Sequence, residues 1–167
     1  YHVSPAFITT PEDCDQLILT PFCAQNLVRY LRGLKPEDGK VAIVVKGCDS
    51  RTVNELIAEN QLNREQLHLL GLPCPGVVDV DKLARHVDLR EVQEVRLEGD
   101  EVILVTEEAS PPAPSPGRRG GMERHLPVAD LLEDTCLHCQ YPNPVTFDEL
   151  LGPEVPARNP EGEDAEL

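Results

Sequence analysis

The sequence has no Trp, three Phe, three Tyr and one Met, so aromatic residues make up only 4% of its 167 positions. The core must therefore be Leu, Val, Ile and Ala. Basic residues are also scarce: 15 Lys and Arg stand against 30 Asp and Glu, a formal net charge of −15. That field repels phosphate backbones and anionic lipid, which argues against nucleic-acid and membrane-surface binding. No apolar run reaches the length of a transmembrane helix. No signal peptide is visible, and a cytoplasmic location is expected. The chain begins at Tyr1 without a Met, which leaves room for a processed or missing N terminus.

What the sequence does hold is proline and cysteine. The 16 prolines cluster, as loops and a linker would have them. The length suits one domain, or one domain plus a small appendage, and can bury roughly two-thirds of the surface of the unfolded chain. The six cysteines are Cys14, Cys23, Cys48, Cys74, Cys136 and Cys139. They are too few for a disulfide-built secreted scaffold, so a metal, a redox role or plain burial is expected.

Periodicity predicts an α/β fold: a small parallel (mixed) sheet with flanking helices, a β-hairpin and a C-terminal cysteine-bearing loop. Residues 16–19 read as a short buried strand. Thr20-Pro21 reads as a helix start, with a helix over residues 21–31 that stops at Gly33. Val41-Ala-Ile-Val-Val45 has the continuous β-branched pattern of a strand buried on both faces. A helix over residues 51–60 follows, with Val53, Leu56 and Ile57 on one face. Residues 66–70 read as the next parallel strand and 81–86 as a short helix. An alternating hairpin occupies 91–106, turning at Glu98-Gly99-Asp100. A short helix is expected over 126–133, starting near Pro127, and another over 146–151. The expected organisation is a cysteine-loop core over 1–106 and a flexible Pro/Gly-rich linker over 107–121. A C-x-x-C element over 122–152 packs back on the core, and 153–167 forms an acidic disordered tail.

A cysteine-bearing loop follows each of the two parallel strands. Ligands in such sheets bind at the carboxyl ends of strands, so both loops face one rim. Cys23, in the first turn of its expected helix, and Cys48, just before the next, would meet backbone N–H groups that lower a thiol pKa. Cys48 lies between Lys46 and Arg51, which suits an activated thiol or a ligand. Cys74 is followed by Pro75, and Cys136 and Cys139 form a C-x-x-C, strong for metal or redox chemistry without choosing between them. Cys14, in a polar turn, is incidental. Zinc is the competing metal, but a structural zinc site usually draws two close ligand pairs, and only one is present. His138 is expected to point away from a metal, and His68 to be a core histidine; His2, His86 and His125 carry no signal. Lys46, Gly47, Ser50 and Arg51, with Asp49, form a modest anion site for a flavin phosphate or a partner carboxylate, weighed against plain surface charge beside a helix cap.

Lys46-Gly-Cys-Asp-Ser-Arg51, Gly71-Leu-Pro-Cys-Pro-Gly76 and Cys136-x-x-Cys139-x-Tyr-Pro-Asn-Pro144 resemble the iron–sulfur proteins related to the beta subunit of deazaflavin-coenzyme-reducing hydrogenases and dehydrogenases. Thr20-Pro-Phe-Cys-Ala-Gln-Asn-Leu27 looks similar too, and the resemblance covers about Phe7 to Gly152. It implies an electron-transfer subunit, non-catalytic or co-catalytic, that holds one 4Fe–4S cluster, often beside a flavin, in a multisubunit oxidoreductase. Partners would be other subunits of a redox complex, a flavoprotein or a ferredoxin. Carried over by motif, the ligands are Cys23, Cys48, Cys74 and one or both of Cys136 and Cys139, five cysteines for four positions. No glycine-rich dinucleotide fingerprint supports the flavin. Family members often carry a further N-terminal segment and a dicluster ferredoxin region; neither is seen here, as expected of a fragment or a stripped-down subunit. Two other readings stand beside this one: a non-enzymatic zinc-stabilised interaction module, and a thiol–disulfide protein using Cys136 and Cys139. The second is weakened because the C-x-x-C does not open a helix after a first strand.

Overall fold

The computed structural model describes residues 3–34, 39–106 and 122–158. The segment expected to be a linker, 107–121, lies outside the described residues, as do 159–167 of the expected tail. In chain order the strands are β1 (Val41–Val45), β2 (Leu67–Gly71), β3 (Val92–Glu98), β4 (Glu101–Thr106), β5 (Met122–Pro127) and β6 (Glu149–Leu150). The α-helices are α1 (Gly47–Ala58), α2 (Val80–Leu83), α3 (Val128–Leu131) and α4 (Asp134–Leu137). The fold is mixed α/β, as the periodicity predicts, with one parallel and one antiparallel sheet of three strands each. The chain divides into two compact units, one of residues 25–76 and 135–167, the other of 1–24 and 77–134.

The first unit holds the parallel sheet, in the order β1-β2-β6. Val41 pairs with Leu67 and Val45 with Gly71, so the two β-branched and leucine-rich runs lie side by side in full register. Ile43, Val45, Leu67 and Leu69 pack with Val53 of α1 and with Val28 and Leu31 into one aliphatic core. Val53, Leu56 and Ile57 all meet that core, the i, i+3, i+4 pattern of an amphipathic helix. The helix starts four residues before the predicted position, because the buried Asp49 carboxylate accepts the Lys46 N–H at 3.2 Å and caps it. It ends where Asn60 turns left-handed at φ 57° and the Gln61 N–H returns to Leu56 O at 2.8 Å.

Two helices expected in this part of the chain are replaced. In place of a helix over 21–31 there is a turn at Pro21–Phe22, then a 3-10 helix over Leu27–Gly33. The Asn26 side chain caps the latter by accepting from the Val28 N–H, and its extended backbone (φ −82°, ψ 106°) interrupts any continuous helix from Pro21. Residues 146–151 were expected to be helical, but Glu149–Leu150 form β6, parallel to β2. A helix of one or two turns has little stability of its own. Here the backbone has better partners: Asp148 N–H bonds Leu69 O at 2.8 Å, and Leu151 N–H bonds Gly71 O at 2.7 Å. The Asp148 carboxylate in turn accepts from Leu69 N–H at 2.7 Å and from Arg64 at 2.6 Å.

The second unit is built on the antiparallel sheet β3-β4-β5. The predicted hairpin is present, and Glu98 pairs with Glu101 across the two-residue turn Gly99-Asp100. Gly99 takes φ 59° there, a left-handed conformation that glycine adopts without a steric penalty. The sequence did not announce β5, which pairs along the whole of β4 from Glu101↔Pro127 to Thr106↔Met122. The helix expected over 126–133 shortens to α3, since 126–127 belong to that strand. Val102, Leu104, Val128, Leu131 and Leu132 are nearly or fully buried. The predicted buried strand at 16–19 does not form. Leu17, Ile18 and Leu19 are 52%, 77% and 66% exposed and join no strand, having no ladder partner among the described residues. Pro11–Gln16 before them form a 3-10 helix, with Cys14 exposed on it.

Candidate metal centre

Four of the five candidate ligands, Cys48, Cys74, Cys136 and Cys139, belong to the first unit; Cys23 belongs to the second. Cys48 is the second residue of α1, within its first turn. Cys74 lies three residues after β2, in the loop closed by Gly76 at φ 127°. Cys136 sits on α4 and Cys139 two residues beyond it, where the Cys139 N–H turns back to Cys136 O at 3.3 Å. Three separate chain segments thus carry the four thiols. Cys136 and Cys139 each act on the charge of Cys74, and Cys74 on that of Cys48.

The segment that follows the C-x-x-C connects these three pieces. Tyr141–Asn143 lies directly against the start of α1: a Cβ on Gly47 would overlap Tyr141 O and stand 2.8 Å from Tyr141 C and 2.9 Å from Asn143 O. Only a glycine permits that approach. The fully buried Ser50 hydroxyl donates to Gly47 O at 2.8 Å and accepts the Val145 N–H at 3.0 Å. Arg51 lies over the Tyr141 ring, 4.2 Å from its centre, and Asn54 donates to the Thr146 hydroxyl at 2.8 Å. On the other side, Cys74 N–H donates to Pro142 O at 2.8 Å. Gly71 lies beneath Pro144 and Phe147, with 2.9 Å between a Cβ there and Phe147 Cβ. Backbone contacts from one stretch therefore hold the Cys48 turn and the Cys74 loop to the chain that carries Cys139.

The residues expected to bind an anion have protein partners in this unit. Lys46 is 9% exposed; its Nζ donates to Gln25 O at 3.2 Å and lies 3.8 Å from the Asp49 carboxylate. Gly47 and Ser50 join α1 to the 141–145 segment, and the exposed Arg51 stacks on Tyr141. His68 is not in the core, contrary to expectation. It sits on β2 with its side chain 36% exposed and Nε2 3.2 Å from Glu149. His138 is exposed.

Cys48 and Cys74 are not activated by their surroundings. Desolvation, and then the Asp49 carboxylate beside it, push Cys48 up to about 11 against the opposing Lys46 ammonium. The residue as a whole is exposed, but its Sγ lies 3.9 Å from the buried Asp49 carboxylate. The expected lowering at a helix N terminus is thus outweighed by burial and a like charge. Burial also raises Cys74, with Cys136 and Cys139 adding to the effect, against a Gly76 N–H and Lys46 that favour the thiolate. Asp49 is itself pushed above the usual carboxylate range by burial. A metal-free Cys48 therefore remains a thiol at neutral pH, which disfavours the activated-nucleophile reading.

Cys23 has a turn of its own in the second unit. The Thr20 N–H approaches its Sγ at 3.4 Å, and the Sγ lies 3.8 Å from Ile18 O. It is not in a helix, because the turn closes through Phe22 N–H to the Thr20 hydroxyl at 3.3 Å. Among the described residues, no three His, Cys, Asp or Glu side chains stand at metal-holding separation. The donor set itself fits a soft centre: four sulfurs with no competing carboxylate in their number suit an iron–sulfur cluster or zinc, not a hard cation. Among the described residues, no helix is long and apolar enough to cross a membrane. Sequence reading missed the joining role of Tyr141–Thr146, although its signal, the Tyr-Pro-Asn-Pro run directly after the C-x-x-C, was in view.

No family model matches the chain. Among curated proteins it is similar to "F420-dependent formate dehydrogenase 1 subunit beta" of Methanococcus maripaludis, 28% identical over 116 residues, 66% of this chain and 30% of that protein. It is also similar to "F420-dependent formate dehydrogenase subunit beta" of Methanocaldococcus jannaschii, 27% identical over 89 residues, 53% of this chain and 24% of that protein. The aligned regions thus span less than a third of these relatives. The resemblance drawn from the cysteine motifs is borne out: the chain is similar to beta subunits of deazaflavin-coenzyme-dependent dehydrogenases.

Proposed function

We propose that this chain is an electron-transfer subunit of a multisubunit oxidoreductase and holds one 4Fe–4S cluster on Cys48, Cys74, Cys136 and Cys139. The observation that carries the reading is that these four thiols fall in one unit, as electrostatic neighbours, on segments joined by Tyr141–Thr146. Five cysteines competed for four positions, and this grouping leaves out Cys23. A bound cluster would supply a one-electron carrier. The chain's own residues would do the rest. Lys46 and the Gly76 N–H favour negative charge on Cys74, which is how a protein tunes a thiolate-bound centre. Arg51, held by Tyr141, adds a fixed cation one turn along α1 from Cys48.

The similarity to formate dehydrogenase beta subunits supports partner subunits. A flavoprotein or ferredoxin would be the electron-exchanging neighbour. The net charge of −15 would steer docking toward a basic partner. The test is an absorption spectrum with iron, zinc and sulfide content on protein purified without oxygen. A brown protein with about four irons and four sulfides per chain is the expected result. A colourless protein holding one zinc would overturn the reading in favour of a zinc-stabilised interaction module.

A further inference from the structure

The stretch after β6 does not simply trail away. Gly152 turns at φ 103°, and Val155 returns to the Tyr-Pro-Asn-Pro segment, where one side chain grips its backbone twice. Asn143 Nδ2 donates to Val155 O at 2.8 Å, and Val155 N–H donates to Asn143 Oδ1 at 2.9 Å. Three residues on, Arg158 Nε donates to Pro75 O at 3.1 Å, on the residue next to Cys74. The Cys74 N–H bonds Pro142 O, next to Asn143, at 2.8 Å. These bonds close a ring through Asn143, Val155, Arg158, Pro75, Cys74 and Pro142.

We infer that residues 153–158 form a strap across the Cys74 loop, and that Asn143 and Arg158 are positioning residues that set where the Cys74 sulfur stands relative to Cys136 and Cys139. The inference rests on the proposed function for what the thiols hold, but the strap itself is independent of any metal. Its physical basis is cooperative. Each bond alone is modest, but a closed ring restricts the Cys74 loop from both sides, so breaking either end loosens the loop by about the worth of one bond while the Cys74 N–H stays on Pro142 O. An unrestrained loop would leave one ligand of the set mobile, and ligand placement is what fixes the electronic properties of a bound centre.

The test uses the full chain and the variants Asn143→Ala, Arg158→Met and Arg158→Lys. In metal-free protein, hydrogen exchange at the Cys74 amide and alkylation of its thiol are measured. Asn143→Ala and Arg158→Met should speed both by about threefold to tenfold, the range for losing one such bond. Arg158→Lys, which keeps a donor for Pro75 O, should restore the wild-type rates; Arg158→Met keeps the bulk without the donor. In iron-loaded protein, Asn143→Ala and Arg158→Met should change the reduced-state electron paramagnetic resonance line shape at unchanged iron content. Wild-type rates and line shape in both variants, or Arg158→Lys behaving as Arg158→Met, would overturn the strap. A wild-type protein that takes up no iron would instead overturn the proposed function and the strap's role at a cluster. Iron-loaded wild type with indifferent variants would remove the strap alone.

Discussion

Gly47 offers the sharpest test of how the cysteine segments are held. An Ala there gains about 1 kcal/mol of helix propensity over Gly in an unobstructed helix. At this position its Cβ would overlap Tyr141 O and stand 2.8 Å and 2.9 Å from Tyr141 C and Asn143 O. All three obstacles are backbone atoms, so no rotamer change relieves them. Either α1 or the 141–143 segment must move, and that segment is fastened through Ser50 and Cys74. Overpacking of this kind costs about 1–3 kcal/mol, and rigid backbone puts it at the upper end. The propensity gain offsets part of that, leaving a net loss of about 2 kcal/mol. At a urea dependence of about 1–3 kcal/mol per molar, the midpoint for Gly47→Ala should fall by about 0.7–2 M. Gly33→Ala serves as the control, since a Cβ there meets nothing within 4 Å. Urea unfolding of both variants, followed by far-ultraviolet circular dichroism, measures the difference. Equal midpoints for the two would refute the packing argument. Gly47→Ala should also lose iron, because Cys48 is the next residue.

Other outcomes follow from the same contacts. Ser50→Ala should cost about 1–3 kcal/mol in the same unfolding assay, since it strands the Val145 N–H and removes the bond to Gly47 O in a fully buried place. Cys48→Ser and Cys74→Ser should abolish the visible absorption of anaerobically purified protein, while Cys23→Ser and Cys14→Ser leave its iron content unchanged. Bleaching by Cys23→Ser would show that the ligand set is drawn wrongly. Arg64 and the Leu69 N–H hold Asp148 down to about 2. A depressed carboxyl contributes stability above its unfolded value of about 3.9, which is lost as pH falls toward 2. An acid titration should therefore show wild type losing stability across that window, with a shallower loss in Asp148→Asn. Equal slopes would refute the role of Asp148 in anchoring β6. Leu69→Ala, at a fully buried position in the parallel-sheet core, should destabilise by about 2–5 kcal/mol, read from the urea midpoint.

The readable parts of the chain share one property: their pattern is local. Val41–Val45 has five apolar residues in a row, Val53, Leu56 and Ile57 repeat at helical spacing, and 92–106 alternates around a Gly-Asp turn. Each announces its element before any partner is known. Where the reading failed, a distant partner decided. Residues 146–151 have some helical pattern, but Glu149–Leu150 within them become an edge strand, because Leu69 and Gly71 present open carbonyls to the flanking Asp148 and Leu151. Residues 122–127 become a strand because β4 offers an edge. Leu17–Leu19 look like a buried strand yet stay exposed, since nothing among the described residues pairs with them.

The candidate site divides in the same way. Composition and spacing by themselves picked out the cysteines as candidates for metal or redox chemistry, because thiol identity and the C-x-x-C interval are written in the chain. They could not tell that four of the five cysteines share one unit, nor that Lys46, Gly47, Ser50 and Arg51 have partners within the protein. Those facts depend on how Gln25 meets Lys46 and on how Tyr141–Thr146 lies against a helix some ninety residues earlier in the sequence. Contacts at that separation come from packing and loop closure, and no local pattern encodes them.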